Sequence, residues 1–237
     1  MTDSSKTDRI ITPRVLIVFA IYLLLSPIIL FISAGTMKWS LAWVYSVTTL
    51  ALTVISRVFM IRKYPDLAQE RANYRNAEGV KSWDRILGAL VGLYGNIAIF
   101  IVAGLDKRFS WSPTIAMHIS IVAIVIGIGI GFLLGYWAMI ENRYFSAVVR
   151  IQNDRGHTVC TTGPYHFIRH PGYAGALLVY LLTPLMLGSL WTLIPSVLTS
   201  ALLVARTALE DKTLQQELEG YVDYAKETRY RLIPGVW

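Results

Sequence analysis

Residues 157–175 bring together side chains that could bind an anionic ligand directly before an apolar stretch. They read HTVCTTGPYHFIRHPGYAG. Gly163 and Pro164 indicate a turn, and Pro171 suits the first position of the helix that follows, where its missing N–H costs nothing. The N-terminus of such a helix offers free backbone N–H groups and a partial positive charge, so a carboxylate could bind there. The alternative is an interfacial loop in which Arg169 and His170 extend toward lipid headgroups beside an aromatic belt.

A second set of charged residues, Arg206, Glu210 and Asp211, lies at the far end of the next apolar hairpin. Arg206 and Glu210 are four residues apart and share one face of a continuous helix. A two-span hairpin returns that face to the membrane side of residues 169 and 170. Charges at this depth are costly unless they are paired or functional, although a plain surface pair is the alternative. The pattern favours one site built from both segments.

The cysteine and histidine content argues against a disulfide or a metal site. Cys160 is the single cysteine, which excludes an internal disulfide. His166 and His170 lie four apart, but Pro171 biases His170 away from helical geometry. We therefore predict no metal.

The composition shows what must position these groups. Hydrophobic residues make up 54% of the 237-residue chain and charged residues 16%, with a mean hydropathy of +0.50. Soluble domains carry about 25% charged residues. A membrane span needs roughly 20 apolar residues, and six stretches qualify or come close: 15–34, 39–60, 86–105, 114–139, 172–187 and 190–208. The prediction is an all-α, polytopic transmembrane bundle of about six spans.

Two of these stretches have particular features. The fifth and sixth abut across Gly188 and Ser189, which predicts a helical hairpin. The fourth contains Gly127, Gly129, Gly131 and Gly135, which lack the strand that a dinucleotide fingerprint requires. Their four-residue spacing predicts close helix packing instead. We interpret the first stretch as a retained span, because its apolar core exceeds the roughly 7–15 residues of a signal peptide.

The distribution of basic residues predicts the orientation, because positively charged loops stay cytoplasmic. With the N-terminus inside, the outer side carries only Lys38, Lys107 and Arg108, and the other 19 of the 22 Lys and Arg are cytoplasmic. Both termini and the segments 61–85, 141–171 and 210–237 then face the cytosol, so any site that meets a water-soluble cofactor should lie on the cytoplasmic side. The basic residues flank spans instead of lining a soluble face, so we predict no nucleic-acid partner.

The sequence of the tail predicts an amphipathic helix that packs over the cytoplasmic mouth of the bundle, because it runs directly on from the last span. This helix ends before Pro234, which cannot continue a helix. Its apolar face comprises Leu209, Leu214, Leu218, Tyr221 and Tyr224.

The ordered motifs of the C-terminal part resemble those of the isoprenylcysteine carboxyl methyltransferase family, which is related to the phospholipid N-methyltransferases. The resemblance covers about residues 141–235. It divides the chain into an N-terminal transmembrane scaffold and substrate-facing part, 1–140, and a C-terminal cofactor-binding part, 141–237. It rests on Gln152, HTVC at 157–160, GPY at 163–165, RHPGYAG at 169–175, Arg206, Glu210-Asp211, Leu214, Gly220-Tyr221 and Tyr224.

The resemblance implies S-adenosyl-L-methionine as cofactor and a role for each matching position. Arg206 would contact the substrate. Glu210 would accept hydrogen bonds from the cofactor's ammonium group, His170 and the helix N-terminus would hold its carboxylate, and aromatic faces would suit its sulfonium. The implied cofactor contacts are Gln152, His157, Thr158, Val159, Cys160, Tyr165, His170, Pro171, Gly172, Tyr173 and Glu210.

Methyl transfer is an in-line displacement that requires alignment and exclusion of water. A carboxylate acceptor is ionised and needs no general base, whereas an amine must first lose a proton. Since no strong base is evident, we expect a carboxylate on a lipid or lipidated acceptor, clamped bidentately by Arg206. A phospholipid N-methyltransferase stays open. So does an NADPH-dependent enzyme, because residues 224–234 are similar to the end of the sterol reductases. A non-catalytic lipid-binding or assembly protein is the third possibility.

Overall fold

The computed structural model describes residues 13–72, 74 and 77–237, with side chains from Phe19 onward except that of Tyr22. Lys6, Arg9 and Arg75, three of the basic residues used to predict the orientation, lie outside these ranges.

The described residues form an all-helical bundle, and none of them is in a strand. Helices dominate because a chain in lipid must satisfy its backbone hydrogen bonds within each segment. In chain order the helices are α1 Pro13–Ala34, α2 Ser40–Lys63, α3 Pro65–Ala72, α4 Ser82–Phe109, α5 Met117–Glu141, α6 Pro171–Leu187, α7 Leu193–Glu217 and α8 Tyr221–Glu227.

Helices α2, α4, α5 and α7 are long and apolar enough to cross a membrane. The part Phe19–Ala34 of α1 and the whole of α6 are shorter apolar helices. Together they account for the six apolar stretches, so the predicted all-helical transmembrane bundle is confirmed. Its apolar core lies between α1, α2, α4, α5 and α6.

Glycines allow α5 and α6 to pack closely. A Cβ built on Gly131 would lie 2.7 Å from the carbonyl oxygen of Gly175, and one on Gly127 would clash with Met186 of α6. Cβ atoms on Gly129 and Gly135 would meet nothing within 4 Å. The packing predicted for this stretch is therefore confirmed at Gly127 and Gly131, within a π-helical turn, Val125–Gly131.

The hairpin predicted across Gly188 is confirmed, since this residue adopts a left-handed conformation (φ +67°) between α6 and α7. The predicted tail helix is wrong in one respect. Helix α7 runs to Glu217 and the chain then turns at Gly220 (φ +81°) before α8 begins. The tail is thus two helices, because the turn lets α8 fold back over the bundle.

The connections gather at two ends of the bundle. The loop end carries residues 64–72, 77–81 and 142–170 and helix α8. The hairpin end carries residues 35–39, 110–116 and 188–192, where buried Asp106 accepts hydrogen bonds from the backbone N–H of Ser112 (2.7 Å) and from the hydroxyls of Ser112 and Ser189.

Candidate functional site

A cleft of about 820 Å³, counted with its open mouth, lies at the loop end between residues 142–160, the start of α6, the last turns of α7 and α8. Small-molecule sites typically combine an apolar lining with a few convergent polar groups. The predicted cofactor residues that border the cleft are Gln152, His157, Thr158, Val159, Cys160, Tyr165, His170, Gly172, Tyr173 and Glu210.

The loop 142–160 is held in place by the amide of Gln152, which is 1% exposed. Its nitrogen donates to the carbonyl oxygen of Tyr144 (2.7 Å), and its oxygen accepts from Arg155 (2.5 Å). Both halves of the amide are therefore engaged inside the protein. Gln152 shapes the wall of the cleft instead of offering a free polar group.

His157 contributes a neutral ring to this wall. Its Nδ1 accepts a hydrogen bond from the backbone N–H of Gln152 (3.3 Å), and its ring lies 4.5 Å from that of Tyr144 between centroids. Burial, reinforced by Arg150 and Arg155, lowers the pKa of His157 to about 4. The imidazole is consequently uncharged near pH 7, with the proton on Nε2, and it does not repel a cation in the cleft.

Tyr165 forms the apolar part of the lining with residues of the tail. The carbonyl oxygen of Tyr165 accepts a hydrogen bond from the hydroxyl of Tyr224 (2.6 Å). The hydroxyl of Tyr165 accepts one from the side-chain amide of Asn142 (3.3 Å). Burial raises the pKa of the Tyr165 hydroxyl above its usual value. Leu218 and Tyr221 pack in the same cluster. The prediction that the tail packs over the cleft is thus confirmed for these residues, whereas Leu209 is 38% exposed and does not take part.

Asp211 connects the start of α6 to the tail. Its carboxylate is fully buried and accepts from Arg169 through Nε (2.7 Å) and Nη2 (3.1 Å) and from Arg231 (2.8 Å). The Nε2 of His170 lies 3.2 Å from it, and the hydroxyl of Tyr221 donates to it at 3.0 Å. The resemblance implied that His170 holds the carboxylate of a cofactor. In the structure, the Nε2 of His170 is directed into the Asp211 network instead.

The start of α6 also bonds to the tail through its backbone. The N–H groups of Arg169 and His170 donate to the carbonyl oxygens of Tyr230 and Arg231, each at 2.9 Å. Pro171 takes the first helical position as predicted, but it does not border the cleft. Gly172 does, and an added Cβ there would lie 2.8 Å from the ring of Phe145.

Glu210 is the carboxylate that borders the cleft, and it accepts a hydrogen bond from the hydroxyl of Tyr173 (2.5 Å). The hairpin thus brings α7 back to the start of α6, as the spacing predicted. Glu210 and Tyr173 form a polar pair that can accept hydrogen bonds from a ligand's ammonium group.

Arg206 differs from the prediction. Its Nε and Nη2 donate to the two oxygens of Asp84 (2.7 and 3.2 Å), and its guanidinium lies 5.3 Å from the centroid of the Tyr173 ring. Arg206 does not border the cleft. Asp84 occupies the Nε–Nη2 edge of the guanidinium group, so this edge is not free for the expected bidentate clamp on a substrate carboxylate. Contact of Arg206 with a substrate stays a prediction.

Two features of the site were not predicted. Asp84 was missed as the partner of Arg206, although a lone acid directly before an apolar stretch is a signal, since charges there need a partner. Arg150 borders the cleft and pairs with Glu70 (3.0 Å) and Asp154 (2.8 Å). Its contact with Glu70 joins residues 80 apart, and no local pattern indicates it.

Comparison with known proteins supports the resemblance. Residues 122–216 match the family described as isoprenylcysteine carboxyl methyltransferase (ICMT). The match runs from within α5 almost to the end of α7, so it includes every predicted site residue but stops short of Tyr221 and Tyr224. A comparison with curated proteins finds no match to the chain. The resemblance to this family is confirmed over residues 122–216, while contact of each predicted residue with a cofactor stays a prediction.

Proposed function

We propose that this membrane protein, whose residues 122–216 match the isoprenylcysteine carboxyl methyltransferase family, transfers the methyl group of S-adenosyl-L-methionine to a lipid or lipidated acceptor. The acceptor group we propose is a carboxylate of the isoprenylcysteine type. The observation that carries this proposal is the single cleft that Glu210, Tyr173 and residues 157–160 border together.

The residues of the cleft suit this cofactor. Glu210 offers an acceptor for an ammonium group, and the rings of Tyr165 and Tyr173 offer aromatic faces, which attract cations. His157 adds no positive charge. When bound, S-adenosyl-L-methionine supplies a methyl group activated by its sulfonium.

The protein's own contribution is to orient the reactants and exclude water. The cover formed by Leu218, Tyr221 and Tyr224 shields the cleft, and water exclusion strengthens the electrostatic interactions inside. A carboxylate acceptor is ionised near pH 7, with a pKa of about 4, and requires no general base. We propose that Arg206 contacts the acceptor carboxylate through Nη1, because Nε and Nη2 donate to Asp84 and to the carbonyl oxygen of Ala147.

We also propose that the loop end faces the cytosol, where the cofactor is dissolved. Lys38, Lys107 and Arg108 are the basic residues nearest the hairpin end, and the positive-inside rule places the end with fewer Lys and Arg outside. The acceptor would enter from the bilayer, with residues 1–140 serving as scaffold and substrate-facing part and 141–237 as cofactor-binding part. We propose no nucleic acid and no metal as partners.

Calorimetric titration of the detergent-purified protein with S-adenosylhomocysteine tests the proposal. We expect binding at micromolar levels and a dissociation constant raised about 10-fold or more by Glu210→Gln, because a hydrogen bond to a charged group contributes about 1.5–3 kcal/mol. Tyr165→Ala should also weaken binding.

Glu217→Gln is the matched control. Glu217 lies in the same helix, pairs with Lys81 (2.6 Å) and does not border the cleft. Its replacement should leave the affinity unchanged. Tight binding of NADPH without any response to S-adenosylhomocysteine would refute the methyltransferase proposal and favour a reductase.

A further inference from the structure

A buried ion pair joins two positions 122 residues apart. Asp84, in the first turn of α4, is 1% exposed, and the side chain of Arg206 in α7 is 11% exposed. The two form a fork of hydrogen bonds of 2.7 and 3.2 Å. Asp84 lies outside the part of the chain that matches the family, 122–216.

Asp84 also holds the loop that borders the cleft. Its Oδ2 accepts a hydrogen bond from the backbone N–H of Val149 (2.7 Å), and the Nη2 of Arg206 donates to the carbonyl oxygen of Ala147 (3.2 Å). The pair therefore fixes residues 147–149 against α4 and α7. Val149 itself borders the cleft.

Arg206 also lies near Tyr173, which borders the cleft. The guanidinium carbon is 5.3 Å from the centroid of the Tyr173 ring, and the hydroxyl of Tyr173 donates to Glu210. A chain of contacts thus runs from Asp84 through Arg206 and Tyr173 to Glu210. Asp84 and Arg206 are both buried, so their hydrogen bonds hold the guanidinium group in place more strongly than they would in solvent.

We propose that Asp84 is a positioning residue for methyl transfer that acts through Arg206. This inference rests on the proposed function. Without the carboxylate, the Nε–Nη2 edge of Arg206 has no anionic partner, and the guanidinium group turns away from Tyr173 toward another acceptor. The cofactor-binding wall at 157–160 does not touch Asp84, and Glu210 keeps its hydrogen bond from Tyr173, which does not involve the guanidinium group, so the loss of Asp84 affects turnover more than cofactor affinity.

The test compares Asp84→Asn, Arg206→Gln and the double variant in detergent-purified protein, with a farnesylated cysteine bearing a free carboxylate as acceptor. We expect Asp84→Asn to lower kcat about 100-fold, the loss typical of a small misplacement of reacting groups. The dissociation constant of S-adenosylhomocysteine should stay within about threefold of the wild-type value. Because Asp84 acts through Arg206, adding Asp84→Asn to Arg206→Gln should cause no further loss of kcat.

Two further variants separate positioning from folding. Asp84→Glu keeps the ion pair but moves the carboxylate by one methylene, so a positioning role predicts a lower kcat in the fraction of the protein that is folded, whatever the extra methylene does to the melting temperature. Asp106→Asn replaces another buried carboxylate of α4, at the hairpin end, and should leave the kcat of the folded fraction unchanged.

The outcomes distinguish the two proposals. Wild-type kcat in Asp84→Asn or Asp84→Glu, or losses that add in the double variant, would overturn the role of Asp84 and leave the proposed function intact. A wild-type protein that neither binds S-adenosylhomocysteine nor methylates the acceptor would overturn the proposed function itself.

Discussion

Replacing Asp211 with Asn would remove the negative charge that two guanidinium groups share. The side chain of Arg169 is only 5% exposed, and that of Arg231 is 30% exposed. The variant leaves the positive charge of Arg169 buried without an anionic partner. Because Asp211 links the start of α6 to the tail, the same change loosens two walls of the cleft.

The magnitude follows from these burials. Removing one partner of a buried ion pair costs about 3–5 kcal/mol. We expect a value near the lower limit, about 3 kcal/mol, since the amide oxygen of Asn still accepts one hydrogen bond from Arg169 and water partly solvates Arg231. A loss of this size changes the unfolding equilibrium about 100-fold.

Denaturant unfolding in detergent, followed by the fluorescence of the seven tryptophans, measures the effect. The matched control is Asp223→Asn in α8. Asp223 pairs with Lys226, and both side chains are at least 70% exposed, so its replacement should leave the free energy of unfolding unchanged. If Asp211→Asn unfolds at the same denaturant concentration as the wild type and this control, the network does not stabilise the fold as we infer.

Two other predictions concern helix packing and protonation. Gly175→Ala should destabilise the bundle by about 1–3 kcal/mol, the usual cost of overpacking, because its Cβ would collide with the backbone of Gly131. Gly129→Ala meets nothing within 4 Å and should be neutral or slightly stabilising, and equal melting temperatures for the two variants would contradict the close contact. His157, with a pKa lowered to about 4, should keep the NMR shifts of a neutral ring from pH 8 to pH 5. The unfolded chain takes up this proton near pH 6.5, so His157 makes the fold less stable as the pH falls from about 6.5 toward 4. A titration midpoint near 6.5 in the folded protein would show that burial does not act as described.

The helices could be predicted from the sequence because the signal is local. Apolar stretches of about 20 residues can bury their backbone in lipid only as helices, and the spacing of Gly127 and Gly131 indicated the face of α5 that α6 approaches. The break between α7 and α8 was missed. Its position depends on how Leu218 and Tyr221 pack against the cleft, which is a tertiary effect, although Gly220 is a local signal for a turn.

At the site, spacing predicted which residues meet but not which atoms pair. Arg206 and Glu210 do share a face, yet Arg206 pairs with Asp84 and Glu210 with the hydroxyl of Tyr173. The competing partners lie on other helices, and sequence spacing carries no information about them. For the same reason Asp211, treated as the neighbour of Glu210, emerged only in the structure as the acceptor for Arg169 and Arg231.

The backbone contact between Gly131 and Gly175 also bears on how a ligand can enter and leave. Helices in contact at their main chains have no side chains between them that could change rotamer and let them slide. Helices α5 and α6 should thus move as one rigid body. The motion that admits a ligand is then left to α8, whose displacement would break the hydrogen bonds of Tyr221 to Asp211 and of Tyr224 to the carbonyl oxygen of Tyr165 but would leave the contact between α5 and α6 intact.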